Sequence, residues 1–216
     1  MTAKWKQGQH IFVVGDTGEG KTYLEAKLLK YRAHILYLQS KPDDIKFPDF
    51  RKISSTLDVG KWRFDGAGKE ITKWLIQPKF NSLLDQRREF KAAYDRAWHE
   101  GGWTVVVDEA FFQTKKLHLG DDIDMLVTQG RSKNLTMVVG CQRPAWISRF
   151  PLSQATYSFV FSCEGRDLKV LGEAFSPRII KPVQELDSTK HDFVFFDRRT
   201  KEVKTGNANR LDEIFG

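Results

Sequence analysis

The sequence predicts an α/β domain built on a mainly parallel sheet with helices on both faces. Three observations carry this. Apolar runs at 11–14, 35–38, 103–107 and 135–139 read as buried strands, the run Trp103-Thr-Val-Val-Val most clearly. Stretches with helical character alternate with them, above all residues 81–100. A glycine-rich turn follows the first run and two carboxylates follow the third, at the strand ends where open α/β sheets gather their ligands.

The elements follow in order. Residues 10–14 form the first strand and 21–31 the helix after the glycine-rich turn. A second strand at 35–38 ends before Ser40-Lys41-Pro42-Asp43-Asp44, where Pro42 stops regular structure. Pro48, Gly60, Gly66 and Gly68 point to loops around short strands over 45–70, and 72–76 is a short strand stopped by Pro78. Asn81 is read as the cap of a long amphipathic helix reaching Glu100, with Leu83, Leu84, Phe90, Ala93, Tyr94 and Ala97 on one face. Gly101-Gly102 ends it. Residues 121–132 and 167–174 are helical, 157–161 is a strand, and 193–196 pairs with 202–204 as a C-terminal hairpin, an extension over about 190–206. One domain covering 1–216 accounts for the chain.

Residues 15–22, Gly-Asp-Thr-Gly-Glu-Gly-Lys-Thr, match the P-loop pattern G-x-x-x-x-G-K-[ST] between a strand and a helix. Gly15, Gly18 and Gly20 allow a tight turn whose N–H groups, with those of Asp16, Thr17 and Glu19, form a nest for phosphate. The helix that opens there adds the positive end of its dipole. Lys21 is placed to reach the β- and γ-phosphates and the Thr22 hydroxyl to ligate Mg²⁺. A nucleoside triphosphate is therefore the expected ligand.

The strand at 103–107 ends in Asp108-Glu109, the pattern of a Walker B strand. Asp108 is the expected Mg²⁺ ligand, and Glu109 the base that polarises the attacking water. The strand at 135–139 leads through Gly140 and Cys141 to Gln142, a tip residue suited to sensing the γ-phosphate. Arg131, in Gly130-Arg131-Ser132, is a candidate arginine finger for a neighbouring subunit.

Composition narrows the class. The 216 residues are 40% hydrophobic and 29% charged, as in a folded globular chain. No apolar run approaches the ~18 residues of a membrane span. Residues 1–9 hold no apolar segment, so no signal peptide is expected. Cys141 and Cys163 show no metal-ligand spacing, and the five histidines are scattered, so neither a disulfide framework nor structural zinc is expected and the compartment reads as reducing. The net charge of +7 suits a polyanionic partner.

Together the TGxGKT loop, the strand ending in Asp-Glu and the stretch GRSKNLTMVVGCQRP resemble the FtsK–HerA superfamily of DNA-pumping ATPases. Within it the chain is similar to the small genome-packaging or translocating ATPases of phages and archaeal viruses. Residues 35–44 also resemble the family's second strand, except that Gln39 stands where an Asp is usual before Lys41. The likeness covers roughly residues 10–175. It implies an ASCE-type, RecA-like P-loop NTPase sheet, with a strand inserted between the Walker A and Walker B strands. It further implies ATP hydrolysis with Mg²⁺, a homo-oligomeric ring and movement of double-stranded DNA gripped by its backbone without sequence preference. The sensor reading of Gln142 and the finger reading of Arg131 gain support from it, and Arg143 becomes a second candidate across the subunit boundary. A viral portal or vertex protein would be the docking partner, in the host cytoplasm or on the capsid.

Rival readings fit less well. Thr189-Lys190-His191-Asp192 matches a GTPase base-reading motif in letters but precedes a strand instead of following one. A ParA-type second lysine and the ABC signature are absent, and the residues after Phe175 leave no room for a terminase nuclease. A small-molecule kinase has no need of Glu109 to activate water. A filamentous-phage-type assembly or secretion ATPase, or a nucleotide-switched scaffold that moves no DNA, are the remaining alternatives.

Overall fold

The computed structural model describes residues 5–42, 47–59 and 70–215. The expectations placed on Asp43, Asp44, Gly60, Gly66 and Gly68 lie outside these residues. Among the described residues nine strands form one sheet: β1 (His10–Val14), β2 (Ile35–Leu38), β3 (Arg51–Ile53), β4 (Lys73–Ile76), β5 (Thr104–Val107), β6 (Thr136–Cys141), β7 (Ala155–Val160), β8 (Asp192–Asp197) and β9 (Glu202–Asn207). Their order is β3-β4-β2-β5-β6-β1-β7-β8-β9, parallel from β3 to β7 and antiparallel for the last two pairings. β6 lies between β1 and β5, which is the inserted strand implied by the resemblance. The C-terminal hairpin is no appendage, because β8 pairs with β7 and carries the sheet outward.

Among the described residues eight α-helices flank the sheet: α1 (Lys21–Leu28), α2 (Leu83–Glu100), α3 (Ala110–Lys115), α4 (Gly120–Gln129), α5 (Phe150–Gln154), α6 (Gly165–Ala174), α7 (Ile180–Gln184) and α8 (Asp212–Phe215). Strand side chains alternate between two cores. Phe12, Val14, Val105 and Val107 face α2 to α7, whereas Ile11, Val13, Val106 and Val138 face α1 and the C-terminal segment around Leu211. Burial on both sides explains why these strands read as unbroken apolar runs. His10 belongs to this interior: its Nδ1 accepts a hydrogen bond from the Met137 N–H at 3.0 Å, and burial pulls its pKa down to about 4.

α2 departs from the sequence reading at its first turn. Ser82, not Asn81, is the N-cap, its Oγ accepting from the Asp85 N–H at 3.2 Å. Leu83 and Leu84 are 52% and 77% exposed, so they do not share the apolar face of Phe90, Ala93, Tyr94 and Ala97. Polar groups with partners take the inward positions instead. Gln86 Nε2 donates to the Phe80 carbonyl at 2.9 Å, and Glu89 accepts from the Thr56 N–H at 2.6 Å. Buried polar side chains are held inside by such hydrogen bonds. Gly101 and Gly102 end the helix at φ +68° and +73°.

The short helices α3, α5, α7 and α8 escaped the sequence reading; each has six residues or fewer, too short to show a period.

Candidate nucleotide-binding site

Strand register brings the motifs to one edge. Val14 lies opposite Cys141, Val107 opposite Val139, and Leu38 opposite Val107, so the turns after β1, β2, β5 and β6 emerge side by side. A cavity of about 320 Å³ opens between them, lined by Gly18, Gly20, Lys21, Thr22, Asp108 and Gln142, with Gln39 and Lys41 from the β2 turn.

Within the P-loop, Gly18 and Gly20 hold φ of +89° and +103°, where a side chain would strain the backbone. Gly15 serves differently. A Cβ there would come within 2.6 Å of both Glu19 Oε2 and Phe161 Cβ. Glu19 folds back inside the turn, its Oε2 accepting from the Asp16 N–H at 2.8 Å, while Asp16 and Thr17 stay exposed. The Lys21 ammonium donates to the carbonyls of Gly15 at 2.7 Å and Asp16 at 2.8 Å, which braces the loop. Burial lowers its pKa, with Glu109 and Glu25 opposing that shift.

The carboxylates are held with equal care. Asp108 accepts twice from Ser40, through the N–H at 2.8 Å and the hydroxyl at 2.6 Å. Burial raises its pKa to about 6 against those two bonds. Glu109 caps α3: its Oε1 accepts from the N–H groups of Phe111 and Gln142, each at 3.2 Å. Among the described residues its other oxygen, Oε2, is buried without a hydrogen-bond partner. Burial raises the Glu109 pKa also. A buried carboxylate oxygen left without a partner is a feature that calls for a functional explanation.

The residues present fit a nucleotide with Mg²⁺. Thr22 and Asp108 offer a hydroxyl and a carboxylate, the hard oxygen donors Mg²⁺ takes, and both line the one cavity. Among the described residues no group of three or more His, Cys, Asp or Glu is placed to cage a metal.

The structure gathers Gly15 to Thr22, Asp108, Glu109 and Gln142 at this edge and separates the two arginines. Arg143 stays close, at 3.5 Å from Asp167, whose other oxygen accepts from the Ala145 N–H at 2.8 Å. Arg131 follows α4 and precedes β6, beside Gly8, so it sits at the opposite edge of the sheet. Strand β6, about 20 Å long at ~3.3 Å per residue, separates it from its own chain's pocket.

Sequence reasoning missed several participants. Glu25, one helical turn after Lys21, is fully buried; its Oε2 accepts from the Tyr37 hydroxyl at 2.8 Å and its Oε1 has no partner among the described residues. Desolvation lifts its pKa to about 8. A charged residue at an inward position of an otherwise readable helix is the signal that could have found it. Ser40 gave no signal beyond its place at a strand end. His191, from the dismissed Thr-Lys-His-Asp stretch, does touch the P-loop, its Nδ1 lying 2.9 Å from the Glu19 carbonyl.

Comparison with known proteins bears on the fold. No protein-family model matches the chain. The DNA packaging ATPase P9 of Enterobacteria phage PRD1 is 28% identical over 158 residues, which make up 71% of this chain; the match spans 63% of P9. The genome packaging NTPase B204 of Sulfolobus turreted icosahedral virus 2, in complex with ATP-γ-S, shares the fold with a TM-score of 0.70 at 17% identity, over 94% of this chain and 98% of B204. The cytoplasmic domain of the type VII secretion ATPase EccC of Thermomonospora curvata superposes less closely, with a TM-score of 0.56 at 13% identity, over 94% of this chain and 25% of EccC. The chain has the P-loop NTPase fold, and in sequence and architecture it resembles the viral genome-packaging ATPases of the FtsK–HerA type.

Proposed function

We propose that this chain is a Mg²⁺-dependent ATPase that moves double-stranded DNA into a viral particle. The observation that carries the chemistry is the convergence of Lys21, Thr22, Asp108 and Gln142 on one cavity, with Glu109 held behind it by the Gln142 N–H. P-loop amides and Lys21 bind the β- and γ-phosphates. Thr22 and Asp108 hold the Mg²⁺, which supplies positive charge at the phosphate oxygens when bound. Glu109 orients a water on the far side of the γ-phosphorus and takes its proton through Oε2. The water oxygen bonds to phosphorus, the bond to the β-phosphate oxygen breaks, and ADP and phosphate leave. Gln142, whose N–H already holds Glu109, links the γ-phosphate to the position of that base.

The motor part of the reading rests on the likeness to P9 and B204 and on the +7 charge. In it, 1–216 acts as one ATPase unit within a homo-oligomeric ring, and an arginine from the next subunit, Arg131 or Arg143, completes each site. A portal or vertex protein carries the ring in the host cytoplasm or at the capsid. Among the described residues no helix is long and apolar enough to cross a membrane. A motor passing every sequence must hold phosphates and not bases. ATP turnover should therefore rise with duplex DNA of any sequence, and the stimulation should fall steeply as salt increases. Turnover indifferent to DNA of all lengths would leave a nucleotide-switched scaffold.

A further inference from the structure

Asp108 is the end point of a buried chain of hydrogen bonds that crosses three elements. Both of its carboxylate oxygens are engaged by Ser40, at the tip of β2. The Ser40 oxygen in turn accepts from Gln113 Nε2 on α3 at 3.2 Å, and Gln113 Oε1 accepts from the Tyr94 hydroxyl on α2. Gln113 and Tyr94 are fully buried and Ser40 nearly so.

The direction of this chain is fixed from its carboxylate end. An ionised carboxylate only accepts, so the single Ser40 hydroxyl proton must go to Asp108. The Ser40 oxygen is left to accept, which turns the amide nitrogen of Gln113 toward it. The amide oxygen then faces Tyr94, which has one proton to give. Each group has one orientation that satisfies all its neighbours, and so the network resists rotation of Asp108.

We propose that Ser40, Gln113 and Tyr94 are positioning residues for the Mg²⁺ ligand, holding the Asp108 carboxylate with its free lone pairs turned toward Thr22 and the nucleotide phosphates. Partners behind a metal ligand commonly set its affinity by orienting it. The arrangement also ties the metal site to α2, the longest helix, through one side chain. This rests on the nucleotide-site reading of the cavity.

The test is Mg²⁺-dependent binding of a fluorescent, non-hydrolysable ATP analogue, measured with EDTA and across a Mg²⁺ titration, alongside thermal melting. The wild type should bind more tightly as Mg²⁺ is added; if it binds no nucleotide at all, the site reading itself fails. In Ser40→Ala the Mg²⁺ concentration at half-saturation should rise about tenfold, while binding in EDTA stays at the wild-type level. Ser40→Thr, which keeps the hydroxyl, should restore it. Tyr94→Phe keeps the ring packing and removes the last proton of the chain, so it should shift the midpoint in the same direction by less. Midpoints within twofold of wild type, with only the melting temperature lowered, would overturn the proposal and leave a network that stabilises the fold. If Ser40→Ala does not fold, Tyr94→Phe decides by the same criterion.

Discussion

In the proposed mechanism a single carboxylate oxygen of Glu109 separates binding from hydrolysis. Glu109 spends Oε1 on two backbone N–H groups and keeps Oε2 without a partner. Glu109→Gln should preserve nucleotide affinity and abolish turnover, because an amide can hold the capping bonds but cannot take a proton. Lys21→Ala should lose nucleotide binding itself, as read by equilibrium titration; retained turnover in Glu109→Gln would refute the base assignment. Glu25 gives a second residue-scale expectation. Its pKa is raised from 4.5 to about 8 by burial, and that of Asp108 from 3.8 to about 6. The unfolded chain releases these protons at lower pH than the folded one does, so stability is highest below about pH 4 for these groups and falls as pH rises toward 8. Between pH 6 and 8 the decline belongs mainly to Glu25, at up to about 1.4 kcal/mol per pH unit. Melting of the nucleotide-free protein at pH 6 and 8 should show it, and Glu25→Gln should flatten the difference.

At the scale of elements, the helix start and the strand tips are the places to probe. Ser82→Ala removes the cap of α2 and should cost about 1 kcal/mol, a few degrees of melting temperature, whereas Asn81→Ala should cost little. Chemical denaturation of the two variants distinguishes them. Gly140 on β6 is a sharper case. A Cβ there would meet the Asp108 carbonyl at 2.6 Å and Glu25 Oε1 at 2.7 Å. The carbonyl belongs to the Walker B backbone and cannot swing away. Gly140→Ala should therefore displace β5 at its tip, lose about 1–3 kcal/mol of stability and reduce ATP turnover well beyond what the unfolded fraction explains.

For the whole molecule, the proposed ring requires one arginine to serve the neighbour's γ-phosphate. Arg131 lies at the far edge of its own sheet, and Arg143 is tethered to Asp167 at the near edge. An arginine finger contributes roughly 10³–10⁵ in rate. Arg131→Ala and Arg143→Ala should each bind ATP as the wild type does, and the true finger variant should be nearly inactive alone. Mixed with Lys21→Ala subunits, which still carry the arginine, it should regain activity through its own intact pocket. The arginine whose variant shows no such rescue in demonstrably mixed oligomers does not act in trans.

Local sequence determined whatever depends on contiguous residues. The P-loop was legible because its turn needs Gly18 and Gly20 at positive φ and its ligand needs Lys21 and Thr22 next in line. Asp108 and Glu109 were legible because an all-apolar strand precedes them, and Gln142 because a similar strand precedes it. The sheet class followed from the same apolar runs. Tertiary structure alone decided what depends on register and on pairs far apart in the chain. Ser40 meets Asp108 across 68 residues, and His191 meets Glu19 across 172. The inward turn of Glu89 was set by a partner at Thr56, 33 residues away, that no periodicity reveals. Glu25 was invisible because a carboxylate on a helix is read as solvent-facing until the packing shows Tyr37 above it. A motif written along the chain is fixed by local backbone geometry; the side chains that orient it come from strands paired in space, and only the folded sheet brings those together.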